Sequence, residues 1–160
     1  MVYFRETQSF ARNPVIWIAV AGTVFVVFGT LSIPEVRQSG AVGLAVVAPL
    51  LVMAWLLLVR LETEVRDDGV HLRFRLLWFP KLFGWDRVES AEAVEYRPIV
   101  QYGGWGIRRG WSGEWAWNVS GSRGVRLHLR DGKRFLIGSD QPDALAAAIK
   151  ERLGAAPRPS

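Results

Sequence analysis

The sequence predicts a membrane α-hairpin of two transmembrane helices followed by an α+β domain, an antiparallel barrel or sheet capped by one C-terminal α-helix. Three observations predict it. Two long uncharged runs, Pro14–Ile33 and Ala41–Val59, follow one another closely. Short apolar–polar alternations punctuated by Asp-Gly pairs fill the second half. A stretch with apolar residues four apart closes the chain.

Residues 1–13 mix Tyr3, Phe4 and Phe10 with Arg5, Glu6 and Arg12, and are expected to lie as an interfacial segment in the headgroup zone. The hairpin follows over 14–59, with spans at 14–33 and 41–59. The runs hold 20 and 19 residues. At about 1.5 Å per helical residue each reaches ~30 Å, the thickness of a bilayer's hydrocarbon core. Only Pro34–Gly40 separates them, carrying Glu35 and Arg37. Core helices of a soluble protein would show a polar face. A signal peptide would have a shorter apolar region followed by a small-residue cleavage site. Gly22 and Gly29 share one face of the first run, and Ala41 and Ala45 one face of the second, which predicts close helix packing. Pro49 is expected to kink the second helix.

Orientation follows from the basic flanks. Arg5 and Arg12 precede the runs, Arg60, Arg66, Arg73 and Arg75 follow them, and the connecting loop has Arg37 alone. This bias places both termini in the cytoplasm and makes the chain a multi-pass protein of the cell membrane. Trp17 and Trp55 lie near the same ends, as interfacial tryptophans do. Neither run carries an ionisable residue, which argues against an ion pathway inside the hairpin.

The cytoplasmic domain is expected over 60–153. Leu61, Thr63 and Val65, then Val70, Leu72, Phe74 and Leu76, alternate with polar residues around a two-residue turn at Asp68-Gly69 that sets Val65 opposite Leu72. A second hairpin aligns Val125, Leu127 and Leu129 with Phe135 and Ile137 only through a three-residue loop, Arg130–Gly132, with Gly132 in the left-handed position of a bulge. Leu82–Val88, Ala91–Tyr96 and Trp115–Val119 read as further strands. Ser139 or Asp140 caps a helix with Pro142 in its first turn; Leu145, Ile149 and Leu153 form its stripe, and Gly154 ends it. Residues 154–160 are expected to be a disordered tail.

Composition bounds the function. The 160 residues carry 17 Arg and 3 Lys against 15 acids, a net charge of +5 with no basic run. Such a mild excess suits an anionic membrane surface and argues against a nucleic-acid partner. The absence of cysteine excludes disulfides and thiol catalysis, and the isolated His71 and His128 make no metal site.

The stretches FRETQSF (Phe4–Phe10), YGGWGIR (Tyr102–Arg108) and VRLHLRDGKRFLIGSDQPDALAAAI (Val125–Ile149) resemble small bacterial and archaeal membrane proteins that pair a two-span hairpin with a pleckstrin-homology-like (PH-like) domain. The resemblance covers most of the chain. It implies a PH-like fold and a membrane address, and brings no catalytic residue and no cofactor.

The unusual segment is Tyr102–Trp117. It holds Trp105, Trp111, Trp115 and Trp117, a glycine-bent loop at Gly103, Gly104 and Gly106, and the pair Arg108-Arg109. Tryptophan and arginine anchor many binding surfaces, so Trp105, Arg108, Arg109 and Trp111 are the candidate contacts to lipid headgroups or a protein partner. The competing reading puts the tryptophans in the domain's core. GGWGIRRG lacks the Gly-Lys-Ser/Thr ending of a phosphate-binding loop. Glu89, Glu92 and Glu95 are spaced like the solvated edge of a strand, which argues against acid–base chemistry. The expectation is a non-enzymatic, membrane-anchored interaction module that binds a protein partner, its own copies or anionic lipid headgroups. The alternative is an accessory subunit or enzyme acting on membrane lipid or envelope precursors.

Overall fold

A computed structural model describes residues 1–35, 42–77 and 79–155. They form two compact units, one of Met1–Gln8 with the chain from Arg60 onward, the other of Ser9–Val59.

In the unit Ser9–Val59, a 3-10 turn at Phe10–Arg12 leads to helix α1 (Pro14–Ser32). Asn13 caps α1, its side chain accepting the Val15 N–H at 3.0 Å, and Pro14 removes a donor that would otherwise be orphaned. The hydroxyls of Thr23, Thr30 and Ser32 donate to carbonyls four residues back, so each finds a partner within the helix. Helix α2 (Val42–Leu58) carries Pro49 in its interior.

The expected two-helix transmembrane hairpin is corrected here. Among the described residues one helix, Pro14–Ser32, with 19 residues and mean hydropathy 2.2, is long and apolar enough to cross a membrane. Its length and composition fit an anchor or a signal sequence. Helix α2 has 17 residues, which at 1.5 Å each reach only about 26 Å against a core of about 30 Å. The uncharged run is longer than the helix because Val59 leaves it, buried, and leads into a strand. A methyl built on Gly22 or Gly29 would meet nothing within 4 Å, so these glycines do not seat a second helix. Ala41 and most of the connecting loop, including Arg37, lie outside the described residues.

The other unit holds nine strands: β1 (Val2–Ser9), β2 (Arg60–Arg66), β3 (Gly69–Arg75), β4 (Phe79–Gly84), β5 (Val88–Glu95), β6 (Gly106–Arg109), β7 (Trp115–Asn118), β8 (Arg123–Leu129) and β9 (Arg134–Gly138). Two helices join them, α3 (Pro98–Tyr102) and α4 (Pro142–Ala155). One sheet has the order β1-β2-β3-β4, the other β5-β8-β9-β7-β6. The pair β7–β9 is parallel, a departure from the all-antiparallel expectation. This sheet-rich domain is compatible with a PH-like fold.

Strand β1 replaces the expected interfacial segment. The Met1 amino group and the Tyr3 hydroxyl both meet Asp67, and Arg5 pairs with Glu64 at 2.6 Å, so β1 runs antiparallel to β2. Its inward residues are Glu6 and Gln8, both buried, and polar inward residues disguise a strand in sequence. Glu6 accepts from the Ser139 hydroxyl at 2.6 Å, the Asp140 N–H at 2.6 Å and the Gln8 amide at 3.0 Å. Tyr3 lies 3.9 Å beneath the Arg152 guanidinium. The first strand is thereby fastened to both ends of the last helix.

The β2–β3 turn sits one residue earlier than expected, at Asp67-Asp68, pairing Val65 with Val70 and Leu61 with Phe74. The shift preserves the apolar face because the strand period is two. Gly69 is held inside the ladder instead: a methyl there would lie 2.2 Å from the Phe83 carbonyl oxygen. The second hairpin has the three-residue loop Arg130–Gly132, with Gly132 at φ 78°. Leu61, Val65, Val70, Leu72, Phe74 and Phe83 from one sheet, Val125, Leu127, Phe135 and Ile137 from the other, and Leu145 and Ile149 of α4 are all buried. Trp117 joins this core, its ring 5.4 Å from Phe74 and 5.9 Å from Phe135. Helix α4 continues through Gly154 to Ala155; residues 156–160 of the expected tail lie outside the described residues.

Candidate contact surface

The segment from Pro98 to Asn118 builds the candidate surface. Pro98 opens α3 with its fixed φ, and Gly103 ends it at φ 70°, donating its N–H to the Ile99 carbonyl. Gly104 and Gly106 also have positive φ, at 121° and 115°, and the Gly106 N–H reaches the Asn118 side chain at 2.9 Å. The three glycines reverse the chain between α3 and β6. A turn at 110–113 then returns it along β7. Gly110 is required there: a methyl would lie 2.8 Å from the Tyr102 ring.

The four candidate contacts separate in this frame. Trp105 is half-buried and its indole donates to the Gly121 carbonyl at 2.9 Å, so it wedges the loop in place. Arg108 and Arg109 are exposed and reach only carbonyl oxygens, of Trp105 at 3.3 Å and Gly113 at 3.4 Å. Trp111 is 89% exposed, yet its indole N–H donates to the Val100 carbonyl at 3.1 Å and its backbone N–H to Gln101 at 3.3 Å. Ile99 and Val100 are exposed on α3, and Trp115 is exposed on β7. Ile99, Val100 and Trp111 thus form an exposed apolar group, while strand alternation puts Arg108, opposite Ala116, and Arg109, opposite Trp115, on different faces of the sheet.

Under Trp111 lies a cavity of about 300 Å³ lined by Tyr102, Glu114, Arg126 and Arg134 among others. Buried Glu114 accepts from the Tyr102 hydroxyl at 2.6 Å and from Arg126 Nε at 2.8 Å. Arg126 continues to Glu92 at 3.4 Å, and Glu92 to His128 at 3.2 Å. Burial, and then the hydrogen bond to Glu114, raise the Tyr102 pKa. The His128 hydrogen bond holds the Glu92 pKa down. This chain of ion pairs was invisible in sequence, where Glu114, Arg126 and His128 are far apart and unpatterned. Both carboxylate oxygens of Glu114 are occupied, so the arrangement braces the loop. Glu89 and Glu95 are exposed on β5. Among the described residues no group of three His, Cys, Asp or Glu is placed to hold a metal.

No protein-family model matches the chain, and no curated protein matches it.

A further cation emerges between the sheets. The Lys81 ammonium lies 5.4, 5.9 and 4.8 Å from the ring centroids of Phe83, Trp117 and Phe135. Desolvation, helped by Arg87, lowers its pKa. Its place in sequence, flanked by Pro80 and Leu82, gave no sign of this.

Proposed function

We propose that the chain is a membrane-anchored, non-enzymatic interaction module whose PH-like domain offers Trp111, with Ile99 and Val100 of α3 beside it, to a partner. The observation that carries the reading is Trp111. A large apolar ring left in water costs free energy, and two hydrogen bonds pin this one outward where a flexible turn would let it fold back. Ordered tryptophan beside arginine is the usual make-up of a binding anchor.

The anchor reading has its own support. Strand β1 precedes the apolar helix α1 and lies beside β2 in one sheet. Removal of α1 as a signal sequence would remove β1 with it. The basic flanks favour the cytoplasmic face for both termini.

The test uses single cysteines in this cysteine-free chain. In inside-out membrane vesicles, a maleimide should label Ser112→Cys more slowly than it labels the same variant purified in detergent, while Lys133→Cys reacts alike in both. Equal rates for Ser112→Cys refute the contact surface. Orientation is read in intact cells with a membrane-impermeant reagent. Val2→Cys and Lys133→Cys should both be protected, and labelling of either one overturns the assignment.

A further inference from the structure

Leu76 has φ +70° and, among the described residues, is the sole non-glycine with positive φ. It stands in the turn after β3, closed by the Leu77 N–H to the Phe74 carbonyl at 3.3 Å. Glycine is the ordinary occupant of such a position; an L side chain there is strained by about 1–2 kcal/mol. The leucine is also 50% exposed. Strain and exposure together mean that the fold gains nothing evident from this side chain.

The surroundings are basic. Arg60 stands directly across from Arg75 at the ends of β2 and β3. Like charges placed directly opposite repel. Arg75 reaches Glu62 at 3.4 Å, whereas Arg73 and Arg60 make no ion pair among the described residues. A cavity of about 530 Å³ runs beside the turn, lined by Arg5, Glu62, Arg73, Arg75, Leu76 and Pro80. An exposed leucine sharing a cavity lining with Arg5, Arg73 and Arg75 against the one acid Glu62 matches the layering of a bilayer surface, with acyl chains beneath phosphates.

The register says where this end of the sheet lies along the chain. Arg60, opposite Arg75, is the first residue after the unit Ser9–Val59 that carries α1. Leu76, next to Arg75, is thus at the end of the sheet where the chain returns from that unit.

We infer that the end of the sheet at Leu76 is a second membrane contact, in which Leu76 enters the headgroup layer and Arg60, Arg73 and Arg75 meet lipid phosphates. This rests on the reading of α1 as a membrane anchor. It assigns the lipid contact to this end of the domain and leaves the Trp111 face for another partner.

The experiment uses the full chain in vesicles of phosphatidylcholine and phosphatidylglycerol, with nitroxide labels at Phe25→Cys, Leu76→Cys and Lys133→Cys. Collision rates with oxygen and with a water-soluble nickel chelate give the depth of each label. The Phe25 label should be inaccessible to nickel. The Leu76 label should lose most of the nickel access that the Lys133 label keeps. A Leu76 label as accessible as Lys133, with Phe25 shielded, overturns this inference and leaves the membrane reading standing. An accessible Phe25 label overturns both. A label at Pro80→Cys then reports on the unlabelled tip. Its shielding should be lost in Leu76→Gly, and in Arg73→Gln with Arg75→Gln. Glycine suits φ +70°, so Leu76→Gly should not lower the melting temperature. Shielding that survives both sets of substitutions overturns the assignment to these side chains.

Discussion

Replacing Glu6 by alanine tests whether β1 belongs to the domain. The Glu6 carboxylate is buried and accepts three hydrogen bonds, two of them at 2.6 Å from the start of α4. Ser139, besides donating to Glu6, accepts from the Gln141 N–H at 3.0 Å, so the carboxylate organises the entry into the last helix. A hydrogen bond to a charged group contributes about 1.5–3 kcal/mol, and an orphaned buried donor costs about 1–3. Glu6→Ala leaves the Ser139 hydroxyl and the Asp140 N–H without this acceptor and opens a void. The expected loss is about 3–5 kcal/mol, out of the roughly 5–15 that holds a domain folded. At about 4–8 °C per kcal/mol for a domain of this size, the melting temperature should fall by more than about 10 °C. Glu6→Gln keeps one acceptor oxygen and the volume, and should cost about 1–2 kcal/mol. The assay is near-ultraviolet circular dichroism of the full chain in detergent, with trypsin cleavage after Arg5 and Arg12 as a second readout. In Glu6→Ala, cleavage after Arg5 should accelerate before the rest of the domain is cut. An unchanged melting temperature together with unchanged cleavage would show that β1 is not part of the fold.

Other substitutions probe other links. Glu114→Ala strands Arg126 and the Tyr102 hydroxyl and should cost about 3 kcal/mol in chemical denaturation, whereas Glu114→Leu with Arg126→Met should recover part of that loss. Ile149→Asp puts a charge at a fully buried site and should make the domain protease-sensitive while α1 stays in the membrane fraction. Burial pushes the Tyr96 pKa up to about 12 from an ordinary 10.0, and Tyr102 is also raised. Both phenols hold their protons more tightly folded than unfolded. Their contribution is therefore fully present below pH 10 and is lost as pH rises from 10 through about 12. Absorbance at the tyrosinate band should show neither residue ionising at pH 10 in the folded chain, and an early rise would contradict their burial.

The local patterns of this protein were legible wherever one physical rule dominated. The second hairpin has its three-residue loop because only that length puts Val125, Leu127, Phe135 and Ile137 on one face, and period-two alternation enforces this from the sequence alone. The stripe of Leu145 and Ile149 on α4 is legible in the same way, through a period near 3.6. The uncharged runs marked an apolar insert, but charge does not count helical residues. Backbone geometry does: α2 ends at Leu58, Val59 is buried after it with its N–H still bonded to the Trp55 carbonyl, and β2 begins at Arg60. Strand β1 was hidden because its inward residues, Glu6 and Gln8, are polar and acquire partners only when the last helix, more than a hundred residues away, arrives beside them. The Trp111 face divided likewise. Sequence named its tryptophans and arginines, but the buried Trp117, the wedged Trp105 and the outward Trp111 differ only in which distant groups reach them, and those positions are decided by tertiary packing.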